Sequence, residues 1–244
     1  MNKDKTDRFF PTLLQGMSKG VVGGYLVYES KNLVGRIAAE ENLIYSWPAK
    51  VLNSAGISII ENAALNKPIW SQYNLNIGFN RLEFHFEDGF KFKYQIYPAA
   101  LIGTAYATQR GKFELERTLK SGVFMFSERE TGTTSTGSQS LGYAVGTAIM
   151  IKTSELENYR TISHEIIHVY QYHDYNFINS YMQPVFSYFN ENYKFFNFLD
   201  KIFYYDVQQP FRILLYQIEA NNADTYYDNF IEHEANFYST KHQD

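Results

Sequence analysis

Along the 244-residue chain the period of the apolar positions changes twice, and each change marks a different kind of element. Over residues 38–65, Leu43, Ile44, Trp47, Val51, Leu52, Ala55, Ile59 and Ile60 recur at intervals of three and four, which predicts a helix or a pair of helices. Pro48 is expected to begin a helix or kink one, because it has no N–H to donate to the preceding turn. Upstream, Gly16, Gly20, Gly23 and Gly24 interrupt the apolar residues of 9–27. That stretch reads either as a short helix with a turn or as a packed irregular segment. The polar residues 1–8 are expected to fray.

From Tyr73 the period drops to two. Tyr73-Asn74-Leu75-Asn76-Ile77-Gly78-Phe79 and Leu82-Glu83-Phe84-His85-Phe86 alternate apolar with polar, and Glu87-Asp88-Gly89 supplies a turn before a third run, 90–97. Further short strands are expected at 101–108, 112–119 and 122–127, giving an antiparallel meander with one wet face and one apolar face. Residues 131–142 are a Ser/Thr/Gly tract read as a loop; a phosphate cradle would need a Walker lysine and a following helix start. A strand at 143–151 then leads into a mainly helical remainder, with helices after the first at 179–199, 210–227 and 228–240. Pro210 suits a first helical turn and Asp228 a cap. The expected fold is α+β: N-terminal helices and a β meander in 1–130, a loop at 131–142 and a helical region at 143–244, or one continuous domain.

The first helix after the 143–151 strand carries Thr161-Ile162-Ser163-His164-Glu165-Ile166-Ile167-His168-Val169-Tyr170-Gln171. Ile162, Ile166, Ile167, Val169 and Tyr170 fall at helical spacing, and Ser154 with Glu157 has the form of a capping box. His164 and His168 lie about 40° apart on one face, one turn above each other, so both imidazoles can reach a single ion. Glu165 projects beside the same pocket, placed to take a proton from a metal-activated water. This is the geometry of metal-assisted hydrolysis with Zn2+. The competing reading is an ordinary core helix with hydrogen-bonded histidines.

Two histidines leave a tetrahedral zinc site short of one protein ligand beside its open position. The chain has no cysteine, so the missing ligand must be another histidine or a carboxylate. The best candidate is Glu232, 232 − 168 = 64 positions after His168, within Ile231-Glu232-His233-Glu234-Ala235-Asn236-Phe237. Glu234 lies about 200° away around a helix, so only one of the two can face the ion. Glu219, with Asp224 five residues on, is a further alternative, and His233 and His173 read as surface or supporting residues.

Glu232-His233-Glu234-Ala235-Asn236 resembles the Glu-x-x-Ala-Asp helix found in gluzincin metallopeptidases, including the CAAX-prenyl-endopeptidase type, with Asn in place of Asp. The resemblance implies a zincin-like helical half in which His164, His168 and Glu232 hold zinc and Glu165 is the general base. It implies Asn236 as support for a ligand histidine, without the negative charge an Asp would add. A donor for the oxyanion is expected from Tyr226, Tyr227, Tyr238 or His233. The resemblance does not reach residues 1–140.

Composition narrows the partners. An apolar fraction of 45%, with 18% aromatic residues, excludes a disordered chain. A net charge of −4 without a basic stripe argues against nucleic acid. The longest apolar run, 143–151, is too short to span a bilayer. Residues 1–10 are charged and lack the apolar region of a signal peptide, which leaves a cytoplasmic chain or an envelope one whose signal has been removed. The expected function is a zinc-dependent metallopeptidase acting on a peptide or protein, with strand 143–151 as an edge for extended substrate. The alternative is a non-catalytic envelope protein that binds a ligand or partner through the aromatic meander 72–127 and keeps a structural or vestigial metal site. Trp47 and Trp70 would suit peripheral contact with a membrane.

Overall fold

Where the glycine spacing of 9–27 points to a short helix with a turn or to a packed irregular segment, the chain forms one helix of 32 residues, α1 (Phe9–Glu40). One of the four glycines, Gly23, serves a helix crossing instead. A Cβ on Gly23 would stand 2.7 Å from the Gly56 carbonyl oxygen, and a Cβ on Gly56 would stand 2.7 Å from that of Gly23. Helix α2 (Ser46–Ala64) therefore meets α1 backbone to backbone, an approach that a side chain on either residue would block. Nothing lies within 4 Å of the Cβ positions of Gly16, Gly20 or Gly24. A 3-10 turn, Leu43–Tyr45, joins the two helices, and Pro48 sits in the first turn of α2, where its missing N–H breaks no helical bond. The computed structural model describes residue 2 and residues 7–128, 140–222 and 229–242.

Strands β1 (Gln72–Ile77), β2 (Asn80–His85) and β3 (Lys91–Ile96) form an antiparallel sheet in that order, as the alternation predicts. Its orientation is the reverse of the usual one. Asn74, Asn76, Arg81, Glu83 and Gln95 are buried on the inner face, while Phe92 and Tyr94 are exposed on the outer one, with Tyr73, Leu75, Leu82 and Phe84 half-buried beside them. Alternation fixes that successive side chains part company; it does not say which set goes inside. Here α2 decides, because it presents Glu61 and Ser58. Arg81 Nη2 donates to Glu61 Oε2 at 2.6 Å and Arg81 Nε to Glu83 Oε1 at 2.6 Å, while Asn74 Nδ2 donates to Glu61 Oε2 at 2.7 Å. A buried polar set of this kind is tolerable only when its members satisfy one another.

The next stretch corrects three further expectations. Residues 101–108 are not a strand but part of α3 (Pro98–Arg110), which buries Ala100, Gly103, Thr104 and Ala107. That stripe has helical spacing but is made of small residues, so the large apolar side chains carry no trace of it. Residues 112–119 supply only the two-residue β4 (Lys112–Phe113) before α4 (Leu115–Ser121), which ends at the left-handed Gly122. The single strand expected at 143–151 is a hairpin of β6 (Gly142–Val145) and β7 (Ala148–Lys152), turned at Gly146 with φ +63°. With β5 (Phe124–Glu128) these strands make a second sheet in the order β4-β5-β7-β6, in which β5 and β7 are parallel. The fold is α+β.

After a 3-10 turn at Thr153–Glu155 come α5 (Tyr159–Gln171), α6 (Phe177–Asn192), α7 (Lys194–Asp200), α8 (Gln208–Asn222) and α9 (Phe230–Thr240). The capping box expected at Ser154 does not form. Asn158 caps α5 instead, its side chain accepting from the Thr161 N–H at 3.1 Å. Asn229 caps α9 in the same way, accepting from the Ile231 N–H at 2.9 Å. Most of the 131–142 tract, together with Asp224, Tyr226, Tyr227 and Asp228, lies outside the described residues. One buried apolar cluster joins Val34 and Ile37 of α1, Met125 of β5, Ile149 and Ile151 of β7, Ile162, Ile166 and Ile167 of α5, and Ala235 and Tyr238 of α9. Among the described residues no helix is long and apolar enough to cross a membrane.

The helix crossing makes a prediction of opposite signs. Gly20→Ala, in open space, should stabilise the protein by up to about 1 kcal/mol through helix propensity. Gly56→Ala has the same propensity gain but forces α1 and α2 apart, and should cost a net ~1–3 kcal/mol. Chemical denaturation of the two variants beside the parent checks both signs.

Candidate metal centre

The site lies where α5 and α9 pack together, and α1 is the surface both rest on. Ser163 Oγ donates to the Val34 carbonyl oxygen of α1 at 2.7 Å, which fixes the rotation of α5 one residue before His164. At Gly35 a Cβ would come within 2.4 Å of the Tyr238 carbonyl oxygen, so α9 lies directly against the α1 backbone. With Ile162, Ile166 and Ile167 turned into the core, His164 and His168 are left on the half-open side of α5.

The structure brings His164, His168 and Glu232 into one cluster of potential metal ligands. His164 Nε2 and His168 Nε2 are 3.1 Å apart, and each lies 3.4 Å from Glu232 Oε2. Ligands held tetrahedrally by zinc at 2.0–2.2 Å are separated by about 3.3–3.5 Å, so the three donor atoms can hold such an ion with little movement. The imidazoles stand edge to face, at 79° between ring planes. Their side chains are 19% and 13% exposed while Glu232 is 7% exposed, which leaves one side of the cluster reachable from solvent. Glu232 occupies the first turn of α9, where the partial positive charge of the helix end stabilises a carboxylate.

Glu165 is buried and its Oε2 has no hydrogen-bond partner among the described residues. Burial pushes its carboxyl up, the two imidazoles oppose this, and the charge of Glu232 adds to it. A carboxylate so placed is a better proton acceptor than an exposed one.

The other candidates fall elsewhere. Glu234 turns away from the histidines to Lys31 and Gln171. Asn236, expected to support a ligand histidine, instead faces Arg160, whose Nη2 stands 3.5 Å from its Oδ1. Glu219, on α8, is not part of the cluster. His173 is buried between Tyr97 and Tyr172, where burial holds it well below the ordinary histidine range. His233 is exposed, and Tyr238 packs on Tyr28 across the α1–α9 contact.

Sequence reasoning missed two residues here. Gln171, three positions beyond His168 on the same helix, places its Oε1 2.8 Å from His168 Nδ1. Its Nε2 donates to the Ile231 carbonyl oxygen at 2.9 Å and to Glu234 Oε2 at 2.7 Å, so the oxygen must face the imidazole and accept its Nδ1 proton. In the neutral ring the lone pair of His168 is thereby directed from Nε2 toward His164 and Glu232. The i, i+3 spacing from a ligand histidine was the available signal for Gln171. Tyr216, half-buried on α8, accepts from Asn229 Nδ2 at the start of α9 through its backbone carbonyl at 3.3 Å, and its phenol is raised by burial and then by the charge of Glu232. No local pattern marks Tyr216.

A pH dependence follows. Burial disfavours a charged His168, but Glu232 and Glu165 outweigh it and hold the imidazole up at about 9 without metal. A raised histidine pKa adds stability that is complete below the unfolded value of about 6.5 and is lost as pH rises through the folded value. Metal-free protein should therefore lose stability between about pH 6.5 and 9, and His168→Gln should flatten that slope in denaturation curves. A metal and this proton would compete for Nε2, so ion affinity should climb over the same interval. No protein-family model, curated protein or solved structure matches the chain.

Proposed function

We propose that the protein is a zinc-dependent peptidase of gluzincin type, with His164, His168 and Glu232 holding the ion and Glu165 as general base. The observation that carries this reading is the 3.1–3.4 Å spacing of three donor atoms at a partly open cluster, beside a buried Glu165. Zinc bound there supplies Lewis acidity to water and to a substrate carbonyl alike. Glu165 takes the proton of the attacking water and returns it to the leaving amine. Tyr216, whose backbone is tied to the start of the helix that carries Glu232, is our candidate to donate to the carbonyl oxygen as it gains charge. Strand β6 packs against α5, and among the described residues it has β7 on one side and no strand on the other. Its open edge can pair with an extended peptide.

The alternative, a partner- or ligand-binding protein with a structural metal, is favoured by one observation, the outward apolar face of the first sheet. A structural zinc takes four protein ligands, whereas the cluster offers three among the described residues.

Purified protein is expected to contain zinc, to hydrolyse peptides, and to lose that activity to a chelator and regain it with zinc. Glu165→Gln should keep its metal while turnover slows about 10²- to 10⁴-fold. Metal-free preparations that cannot be loaded, or a Glu165→Gln variant as fast as the parent, would refute the proposal.

A further inference from the structure

The proposed reaction makes no use of the buried cation Lys31. Lys31 on α1 is 3% exposed, and its Nζ lies 2.7 Å from Asp174 Oδ2 and 2.9 Å from Glu234 Oε1. Burial alone would favour the neutral amine; the two carboxylates outweigh it and hold Lys31 above the ordinary lysine range. The other oxygen of Glu234 accepts from Gln171 Nε2 at 2.7 Å, and Gln171 Oε1 meets His168 Nδ1 at 2.8 Å. A continuous run of polar contacts thus connects the N-terminal helix to an imidazole of the metal cluster.

The orientation of Gln171 matters because a carboxamide has nearly the same shape turned over. As placed, its oxygen accepts the His168 Nδ1 proton. Reversed, its N–H would face a bare Nδ1, and the ring proton would sit on Nε2, the atom aimed at His164 and Glu232. A protonated nitrogen cannot bind metal. Two acceptors keep the amide nitrogen turned away from the ring, the Ile231 carbonyl oxygen and the Glu234 carboxylate. The second of these is 34% exposed and would be free to leave without Lys31.

We infer that Lys31 is a positioning residue for His168: by anchoring Glu234 it keeps the Gln171 carboxamide turned so that the imidazole carries its proton on Nδ1 and presents its lone pair to the ion. The inference rests on the metal-site reading above. It gives the N-terminal helix a part in the centre beyond packing.

The test uses the full chain, 15N-labelled. Lys31→Met is the main variant, and Glu234→Ala interrupts the same run at a less buried position should the first fail to fold. Ile57→Ala, at a buried position on α2 outside the apolar cluster that holds α5 and α9, is the packing control. With the metal-free ring titrated to its neutral form, the parent should show the nitrogen shifts of a ring protonated at Nδ1. Both relay variants should move population toward the Nε2-protonated ring, and their zinc affinity by chelator competition should fall about 10- to 100-fold. Ile57→Ala should lower thermal stability and move neither signal. An unchanged tautomer with zinc affinity within about twofold of the parent would overturn the role of Lys31. A parent chain that takes up no zinc would sink the metal-site reading, while the tautomer comparison would still decide the part played by Lys31.

Discussion

Everything at the candidate centre depends on three lone-pair donors being held within 3.4 Å of one another although they come from helices far apart in the chain. Two imidazole nitrogens and a carboxylate oxygen do not gather by apolar packing, and their approach has to be imposed by the backbones that carry them. The rear half of α1 imposes it. Its Val34 carbonyl sets the rotation of α5 through Ser163, and its Gly35 lets α9 lie against bare backbone. The same short stretch contributes Val34 and Ile37 to the apolar cluster that seals these three helices together. A helix with no ligand of its own therefore sets the geometry of the site.

The first sheet shows a related economy. Its inner face is polar and is satisfied by α2, so Arg81, Glu61 and Glu83 are paired where water cannot reach them. A buried ion pair contributes less to stability than an apolar core of equal volume, but it tolerates fewer alternatives, because any slip in register leaves a charge unpaired. This fixes β2 against α2. It also leaves aromatic side chains such as Phe92 and Tyr94 on the outside.

What could be read from the sequence divides along physical lines. The alternation of 73–97 and the helical spacing around His164 were legible because large side chains mark them, while Glu232 was pointed to by the resemblance of 232–236 to a gluzincin helix, and helix geometry said only that Glu232 and Glu234 could not both face the histidines. Helix α3 was not legible, since its buried stripe is Ala100, Gly103, Thr104 and Ala107. Helix α1 was misread because glycines break helices locally yet allow them to cross closely, and only the partner helix distinguishes the two uses. The choice of Asn236 as support for a histidine failed for a similar reason. That support comes from Gln171 on the ligand helix itself, so a pattern confined to α9 could not disclose it.

Both histidines belong to α5, whereas the carboxylate belongs to α9, the last helix among the described residues. If α9 lifts away, two donors remain, and two imidazoles grip a divalent ion far more weakly than three groups do. Seating of α9 and completion of the donor set are then one event seen from two sides. A chain still emerging during synthesis would have no complete donor set until α9 had followed α5 and packed against it.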